Sequence, residues 1–143
     1  MPVYRHILFA TDLTEETYAL AYQVKALARA TEATLSLIHV VEPVPPYVSS
    51  YLLLGNITQD IEKNANQMLA KLGTELQVEP TQQHVCIGNT RDEIIKLAQT
   101  LQADLIVLGK HGAKGFSLLL GSTASGVLAH AKCDVLVYPL PNG

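Results

Sequence analysis

The chain has 143 residues, of which 48% are hydrophobic and 16% are charged, and its net charge is −3. This length predicts one domain over residues 1–143, and the composition excludes intrinsic disorder and argues against nucleic-acid binding, which needs a basic surface. Because the chain opens without a signal-peptide pattern and has no apolar run of about 18 residues, we expect a cytoplasmic protein with no membrane partner.

Five short apolar segments rich in β-forming residues predict strands. They cover residues 7–10, 35–41, 84–87, 105–108 and 135–138. Several of them are continuously apolar rather than alternating, which is typical of strands in a parallel sheet that is covered on both faces.

Helical patterns follow the first two strands. In the first, an apolar stripe at helical spacing covers residues 17–28, and Thr14 is the expected N-cap. The second stripe covers residues 61–72, and Gly73 directly after it is the expected end of the helix. Between the second strand and this helix, residues 42–58 contain three prolines. Proline interrupts both helices and sheet ladders, so we expect an irregular surface loop there that could act as a lid or an interaction segment.

Two further helical patterns complete the alternation of strands and helices. The run Thr90-Arg91-Asp92-Glu93 predicts a capping box, in which the Thr90 hydroxyl and the Glu93 carboxylate satisfy amides at the helix start. The last helix should run from Ser122 to about His130. Four strand–helix units followed by a final strand predict a doubly wound α/β fold with a parallel sheet.

In such a sheet, ligands bind outside the carboxyl ends of the strands, where the strand order reverses. Ala10, Thr11 and Asp12 follow the first strand. A carboxylate there could accept hydrogen bonds from a ribose hydroxyl or a base amino group but would repel phosphate. Asp12 could equally cap the following helix, although Thr14 is available for that role.

The segment after the fourth strand has the features of a phosphate-binding loop. It begins with Gly109, Lys110, His111 and Gly112 and ends at a helix start with Gly121, Ser122 and Thr123. Glycines let backbone N–H groups approach an oxyanion, and a helix N-terminus attracts phosphate. The alternative is a flexible surface turn with solvated lysines.

Other motifs of catalysis or cofactor binding are not found in the sequence. There is no Walker-type loop, no dinucleotide fingerprint after the first strand and no nucleophile elbow. The histidines lack metal-ligand spacing, and His39 is expected to find a structural hydrogen bond inside its strand. Cys86 and Cys133 are interpreted as reduced, buried thiols. We therefore assign neither catalytic nor metal-binding residues.

The chain resembles the universal stress protein family over nearly its whole length. The resemblance is carried by residues 6–12, 37–40 and 104–112, by Gly121-Ser122-Thr123 and by residues 133–137. The glycine pattern of the family's nucleotide-binding members, Gly-x2-Gly-x9-Gly-Ser/Thr, is matched by Gly109, Gly112, Gly121 and Ser122, but the second gap here is one residue shorter.

The resemblance implies a Rossmann-like, five-stranded sheet of order 3-2-1-4-5 and a site for ATP or AMP, where Mg²⁺ could accompany ATP. It places the adenine near five residues: Ala10, Thr11, Asp12, Val40 and Leu108. It places the phosphates near another five: Gly109, Gly112, Gly121, Ser122 and Thr123. It also implies a homodimer that pairs through the last strand, Val135–Tyr138.

Three functions fit these observations. The first is an adenine-nucleotide-binding module for stress response or signalling. The second is a slow ATPase, or a protein that phosphorylates itself on Ser122 or Thr123; the loop offers cations for phosphoryl transfer but no evident pair of acidic Mg²⁺ ligands, which favours binding over turnover. The third is a nucleotide-free dimeric interaction protein. The shortened glycine gap argues for this function, and the retained glycines argue against it.

Overall fold

The structure, a computed structural model, describes residues 3–51, 57–110 and 121–140. Its five strands are β1 (His6–Ala10), β2 (Thr34–Val41), β3 (Gln83–Ile87), β4 (Leu105–Lys110) and β5 (Asp134–Pro139). Its helices are α1 (Glu15–Thr31), α2 (Pro46–Tyr51), α3 (Ile57–Leu76), α4 (Thr90–Leu101) and α5 (Ser122–His130), and a short 3₁₀ turn covers Pro80–Gln82. None of the helices in these ranges is long and apolar enough to cross a membrane.

All five strands pair in parallel, and their order is β3-β2-β1-β4-β5. This confirms the predicted sheet. Because β1 pairs with β2 on one side and with β4 on the other, the strand order reverses at β1 and β4, and the carboxyl ends of these two strands define the switch point.

Helices cover both faces of the sheet, as predicted for a doubly wound fold. Successive residues of a strand point to opposite faces, and on β1 Phe9 enters one core layer while Leu8 enters the other. The layer around Phe9 is packed by α1 and α3, for example by Val24 and Leu69. The layer around Leu8 is packed by α4 and α5, for example by Ile94 and Val127. Two buried layers explain why the strands are continuously apolar in sequence.

The α3 helix corrects the predicted role of Gly73. The helix does not stop at this glycine but continues to Leu76, and Gln77 ends it with a left-handed φ of 57°. Gly73 is instead a point of close packing, since a Cβ there would run into the side-chain amide of Gln83. The predicted stripe also begins too early, because Ile61 is 40% exposed.

The proline-containing segment was predicted to be an irregular loop, but part of it forms a helix. Residues 46–51 form α2, and Pro46 is its first residue, a position where the missing N–H of proline costs no helical hydrogen bond. The Val44 N–H donates to the Thr58 hydroxyl at 3.1 Å, which joins the start of this segment to α3.

The side chain of Asp104, the residue directly before β4, joins the start of β1 to the start of β4 by hydrogen bonds. Its carboxylate accepts hydrogen bonds from the N–H groups of Arg5 and His6 at 2.9–3.1 Å. Burial alone would raise the pKa of Asp104, but the hydrogen bonds from the backbone amides of Arg5, His6 and Asp104 itself outweigh burial and hold that pKa below its ordinary value.

A polar cluster lies beside this point, at the amino ends of the strands. His6 Nε2 is 2.7 Å from the Ser36 hydroxyl, which donates to Gln82 Oε1 at 2.5 Å. His84 Nε2 is buried without a hydrogen-bond partner among the described residues. Burial, reinforced by the nearby His6, lowers the pKa of His84, so this histidine is held neutral.

The two cysteines are unpaired, as predicted, and each is half-buried rather than fully buried. Burial raises the pKa of both thiols, and the neighbouring carboxylates of Glu93 and Asp134 raise it further for Cys86 and Cys133 respectively. Neither thiol therefore has the thiolate character of a nucleophile.

Candidate functional site

A cleft with a volume of about 260 Å³ opens at the switch point between β1 and β4. Its walls come from the carboxyl ends of β1, β2 and β4 and from the first turns of α1, α4 and α5. The lining residues are Ala10, Thr11, Asp12, Thr17, Ile38, His39, Val40, Thr90, Ile94, Leu108, Gly109 and Thr123. The volume is just below the range of about 300–1,000 Å³ for small-molecule sites.

The structure brings seven of the predicted site residues together in this lining: Ala10, Thr11, Asp12, Val40, Leu108, Gly109 and Thr123. Lys110, Gly121 and Ser122 border the cleft in sequence but do not line it. His111 and Gly112 lie outside the described residues.

Five lining residues were not predicted: Thr17, Ile38, His39, Thr90 and Ile94. Ile38 and His39 precede Val40 on β2. Thr17, Thr90 and Ile94 belong to the first turns of helices whose N-termini meet at this edge of the sheet. The signal that could have found them is the doubly wound topology itself, because every helix that follows a parallel strand begins at the carboxyl edge.

Asp12 helps to hold the start of α1, which is the capping role that the sequence left open for this residue. Thr14 does occupy the N-cap position, but its side chain makes no capping hydrogen bond. Asp12 Oδ1 instead accepts from the Thr14 N–H at 3.0 Å, the Thr14 hydroxyl at 2.7 Å and the Thr17 hydroxyl at 2.9 Å. The carboxylate is thereby fixed at the edge of the cleft.

Both the N–H and the carbonyl group of Thr11 form hydrogen bonds with β2. Its N–H donates to the Ile38 carbonyl at 2.9 Å, and its carbonyl accepts a hydrogen bond of 2.8 Å from Nδ1 of His39. The predicted structural hydrogen bond of His39 is therefore confirmed. The Thr11 hydroxyl accepts from the Leu13 N–H at 3.0 Å, which supports a turn where Leu13 has a φ of 63°, a conformation that side-chain sterics usually disfavour.

Two side chains, those of Asn89 and Glu42, accept hydrogen bonds at the N-terminus of α4. The predicted capping box is wrong by one residue. The N-cap is Asn89, whose side chain accepts from the Asp92 N–H at 3.1 Å. The Thr90 hydroxyl does not cap the helix but donates to Glu42 Oε1 at 2.9 Å, and the Thr90 N–H points to the same oxygen at 3.3 Å. Glu42 follows β2, so this contact joins two walls of the cleft.

The N-terminus of α5 differs from the other two. Its N-cap is Gly121, and no side-chain cap hydrogen bond is formed among the described residues. An added Cβ at Gly121 would meet no atom of the described residues within 4 Å, and its φ of −65° is open to any residue. Among the described residues, Gly121 therefore leaves space in front of the helix start.

Gly109 has a packing role that the sequence did not reveal. A Cβ there would lie 2.7–2.9 Å from the side chain of Leu140, which is buried and whose N–H donates to the Lys110 carbonyl at 2.9 Å. Close packing against Leu140 is thus sufficient to account for a glycine at this position.

Taken together, the cleft has one open electropositive helix end and otherwise neutral or acidic walls. Carboxylates from Asp12 and Glu42 compensate the starts of α1 and α4, whereas the first-turn N–H groups of α5 have no acidic partner among the described residues. Helix N-termini carry a partial positive charge. The site can therefore take a ligand with an apolar, hydrogen-bonding body and an anionic group near α5.

A parallel sheet of this order with a cleft at its switch point defines an α/β protein of the Rossmann-like class, which binds small ligands at that edge. Residues 3–139 match the sequence model of the universal stress protein family. The chain belongs to this family, which confirms the resemblance seen in the sequence.

A relative agrees with this membership, and a solved structure agrees with the fold. The universal stress protein A homolog 1 of Coxiella burnetii is 36% identical over 136 residues, which cover 93% of this chain and 94% of the relative. The structure of the hypothetical protein MJ0577 superposes with a TM-score of 0.78 at 23% identity and covers 98% of this chain and 99% of its own.

Two other structures of similar fold are complexes. One is a universal stress protein with cAMP, which has a TM-score of 0.62 at 18% identity and covers 95% of this chain and 97% of its own. The other is the universal stress protein from Archaeoglobus fulgidus with dAMP, which has a TM-score of 0.64 at 15% identity and covers 96% of this chain and 98% of its own.

Proposed function

We propose that the cleft binds an adenine nucleotide, ATP or AMP, and that the protein acts as a cytoplasmic stress-response or signalling module whose conformation or partners depend on that ligand. The observation that carries the proposal is the N-terminus of α5, which has no side-chain cap among the described residues, beside a cleft with several apolar lining residues. The cAMP and dAMP complexes of proteins with the same fold support an adenine ligand.

The nucleoside would occupy the side of the cleft formed by β1, β2, β4 and α4. Ala10, Val40, Ile94 and Leu108 offer apolar surface for a base. Asp12 offers a fixed carboxylate that can accept from a hydroxyl or an amino group and that repels phosphate. These two properties orient the ligand with its phosphates away from β1.

The phosphates would lie at the start of α5, near Gly121, Ser122 and Thr123. Oxyanions bind there through backbone N–H groups and the helix dipole. Gly109 and Lys110, with His111 and Gly112, would complete this end, and Mg²⁺ would accompany ATP. Lys110→Ala should weaken ATP binding only modestly and in a salt-dependent way, because 0.1 M salt screens the field of a single charge over about 10 Å.

The identity of the ligand can be tested on the purified protein. Denaturation followed by mass spectrometry of the released small molecules should yield an adenine nucleotide at close to one per chain. Incubation of the same protein with ATP and measurement of phosphate release then separates a binding module from a slow ATPase. Release of a different metabolite at one per chain would contradict the adenine proposal.

We also propose a homodimer that pairs through β5. This strand is at the edge of the sheet, its apolar residues 135–138 are half-buried, and an edge strand of this kind can pair with a second copy around a two-fold axis. Val137→Lys should produce a 15.5 kDa monomer in sedimentation equilibrium. Ile87→Lys on the opposite edge strand is the matched control and should leave the dimer intact; a monomeric wild type would overturn the proposal.

A further inference from the structure

Thr17 is a buried polar residue in the first turn of α1 with two oxygen acceptors within reach. Only 2% of the residue is exposed. Its hydroxyl lies 2.9 Å from Asp12 Oδ1 and also 2.9 Å from the Thr14 carbonyl oxygen. A hydroxyl that is buried away from water finds its hydrogen-bond partner within the protein, so these two oxygens compete for the one proton of Thr17.

The carboxylate of Asp12 is the stronger of the two acceptors. The Thr14 carbonyl already accepts the regular helical hydrogen bond from the Tyr18 N–H at 3.1 Å. A hydrogen bond to an ionised acceptor is roughly twice as strong as one between neutral groups. The Thr17 proton is therefore directed mainly toward Asp12. Because Asp12 is exposed, a buried donor holds an exposed carboxylate in one orientation.

A second buried threonine fixes the direction of this hydrogen bond. The Thr11 hydroxyl donates to Thr17 Oγ1 at 3.1 Å, and it accepts from the Leu13 N–H at 3.0 Å. Each hydroxyl has a single proton, so Thr17 accepts from Thr11 and donates its own proton toward Asp12. The result is a chain in which every donor points toward the carboxylate, and hydrogen bonds in such a chain polarise and strengthen one another.

We propose that Thr17 is a positioning residue for ligand recognition, which acts by holding the Asp12 carboxylate in the orientation that accepts from the nucleoside. This inference rests on the proposed function, which gives Asp12 that acceptor role; Thr17 itself need not touch the ligand. Without the Thr17 hydroxyl, Asp12 would gain side-chain freedom that ligand binding must then remove, and this lowers affinity. The loss is partial, because Thr14 still donates to Oδ1.

Two substitutions of Thr17 separate the role of its hydroxyl from that of its shape. Thr17→Val keeps the branched shape and removes the hydroxyl, so adenosine and ATP should each bind about three- to tenfold more weakly. Thr17→Ser keeps the hydroxyl and removes the methyl group. It should bind both ligands as the wild type does, even where the lost methyl group lowers stability. A purely structural threonine predicts instead that affinity follows stability in both variants.

Thr31→Val is the matched control, because it makes the same chemical change at the other end of the same helix. The Thr31 hydroxyl donates to the backbone carbonyls of Leu27 and Ala28. Thr31 lies 14 residues after Thr17, which corresponds to about 21 Å along the helix axis. Thr31→Val should therefore leave the affinity for adenosine and ATP unchanged.

A double-mutant cycle with Asp12 distinguishes positioning from a general effect on the cleft. In the Asp12→Ala background there is no carboxylate to orient, so adding Thr17→Val should weaken adenosine binding no further. Uncoupled changes would instead add in free energy, and their factors in affinity would multiply. Affinity is measured by calorimetric titration with adenosine, and urea unfolding of each variant measures stability separately.

Thr17→Ala deletes the same hydroxyl without placing a methyl group against the carboxylate, and it takes the place of Thr17→Val if that variant does not fold. The role of Thr17 alone is overturned if the folded variant without the hydroxyl binds adenosine as the wild type does, if Thr17→Ser loses as much affinity, or if the two factors multiply in the cycle. If the wild type does not bind adenosine, or Asp12→Ala binds it equally well, the proposed function of the cleft or of Asp12 fails first, and the role of Thr17 fails with it.

Discussion

Asp12 is the residue whose proposed function and structural role compete most directly. The carboxylate is proposed to bind the nucleoside, but Oδ1 already holds the start of α1 through Thr14 and Thr17. Asp12→Ala would remove both roles at once. Asp12→Asn separates them, because an amide oxygen can still accept these three hydrogen bonds while the negative charge is lost.

The expected magnitudes follow from these contacts. Loss of a side chain that satisfies a helix start costs about 0.5–2 kcal/mol of stability, so Asp12→Ala should lower the free energy of unfolding by that amount and Asp12→Asn by clearly less. Loss of a charge-assisted hydrogen bond to the ligand costs about 1.5–3 kcal/mol, which corresponds to roughly ten- to 150-fold in affinity. Both variants should show this loss for adenosine and for ATP alike.

The assay is urea unfolding for stability and calorimetric titration with adenosine and ATP for binding. Asp60→Asn, an exposed carboxylate in the first turn of α3, controls for the change in net charge and should alter neither result. If Asp12→Asn binds adenosine as the wild type does, Asp12 only caps the helix and the proposed orientation of the ligand loses its main support. Weaker binding of ATP with unchanged binding of adenosine would also contradict it.

Other residues give independent tests of the site and of the fold. Gly121→Val should fold normally, since its Cβ meets no atom of the described residues within 4 Å. It should nevertheless weaken ATP binding more than Ser122→Ala, which leaves the helix N–H groups in place. Calorimetry that ranks the two variants in reverse would refute the backbone role of α5. Asp104→Asn should lower Tm most above pH 5, and the difference from the wild type should disappear as the pH falls below about 4, because the lowered pKa of Asp104 contributes stability only while the carboxylate is ionised. His84→Leu should retain more stability than the wild type below pH 6.5. The pKa of His84 is lowered in the folded protein, so acid protonates this histidine in the unfolded chain first and thereby destabilises the folded wild type. Equal Tm profiles from pH 5 to 8 would contradict this.

The fold was predictable because its strongest determinants are local patterns. Short apolar segments, several of them continuous, identified all five strands, and their alternation with helical stripes predicted the parallel, doubly wound sheet. Errors arose where tertiary contacts override local preference. Gly73 looks like a helix end in sequence, but a glycine is needed there because the side chain of Gln83 packs against its Cα. Pro46 looks like a residue that interrupts a helix, but it is the first residue of α2.

The site was predictable in position but not in its hydrogen bonds. Residues after β1 and β4 were expected to meet, and Thr11, Asp12 and Gly109 do line one cleft. The contact between Glu42 and Thr90 joins residues 48 positions apart, and the contact of His39 with Thr11 joins residues 28 apart. Side-chain pairs at such separations leave no periodic signal in one sequence.

The central claim is that the cleft at β1 and β4 binds an adenine nucleotide. Its most direct test is calorimetric titration of AMP into wild-type protein that has been stripped of small molecules by unfolding and refolding. The account predicts saturable binding of one AMP per chain, which excess adenosine displaces and guanosine does not. Absence of binding at millimolar AMP, or binding that adenosine cannot displace, would contradict it.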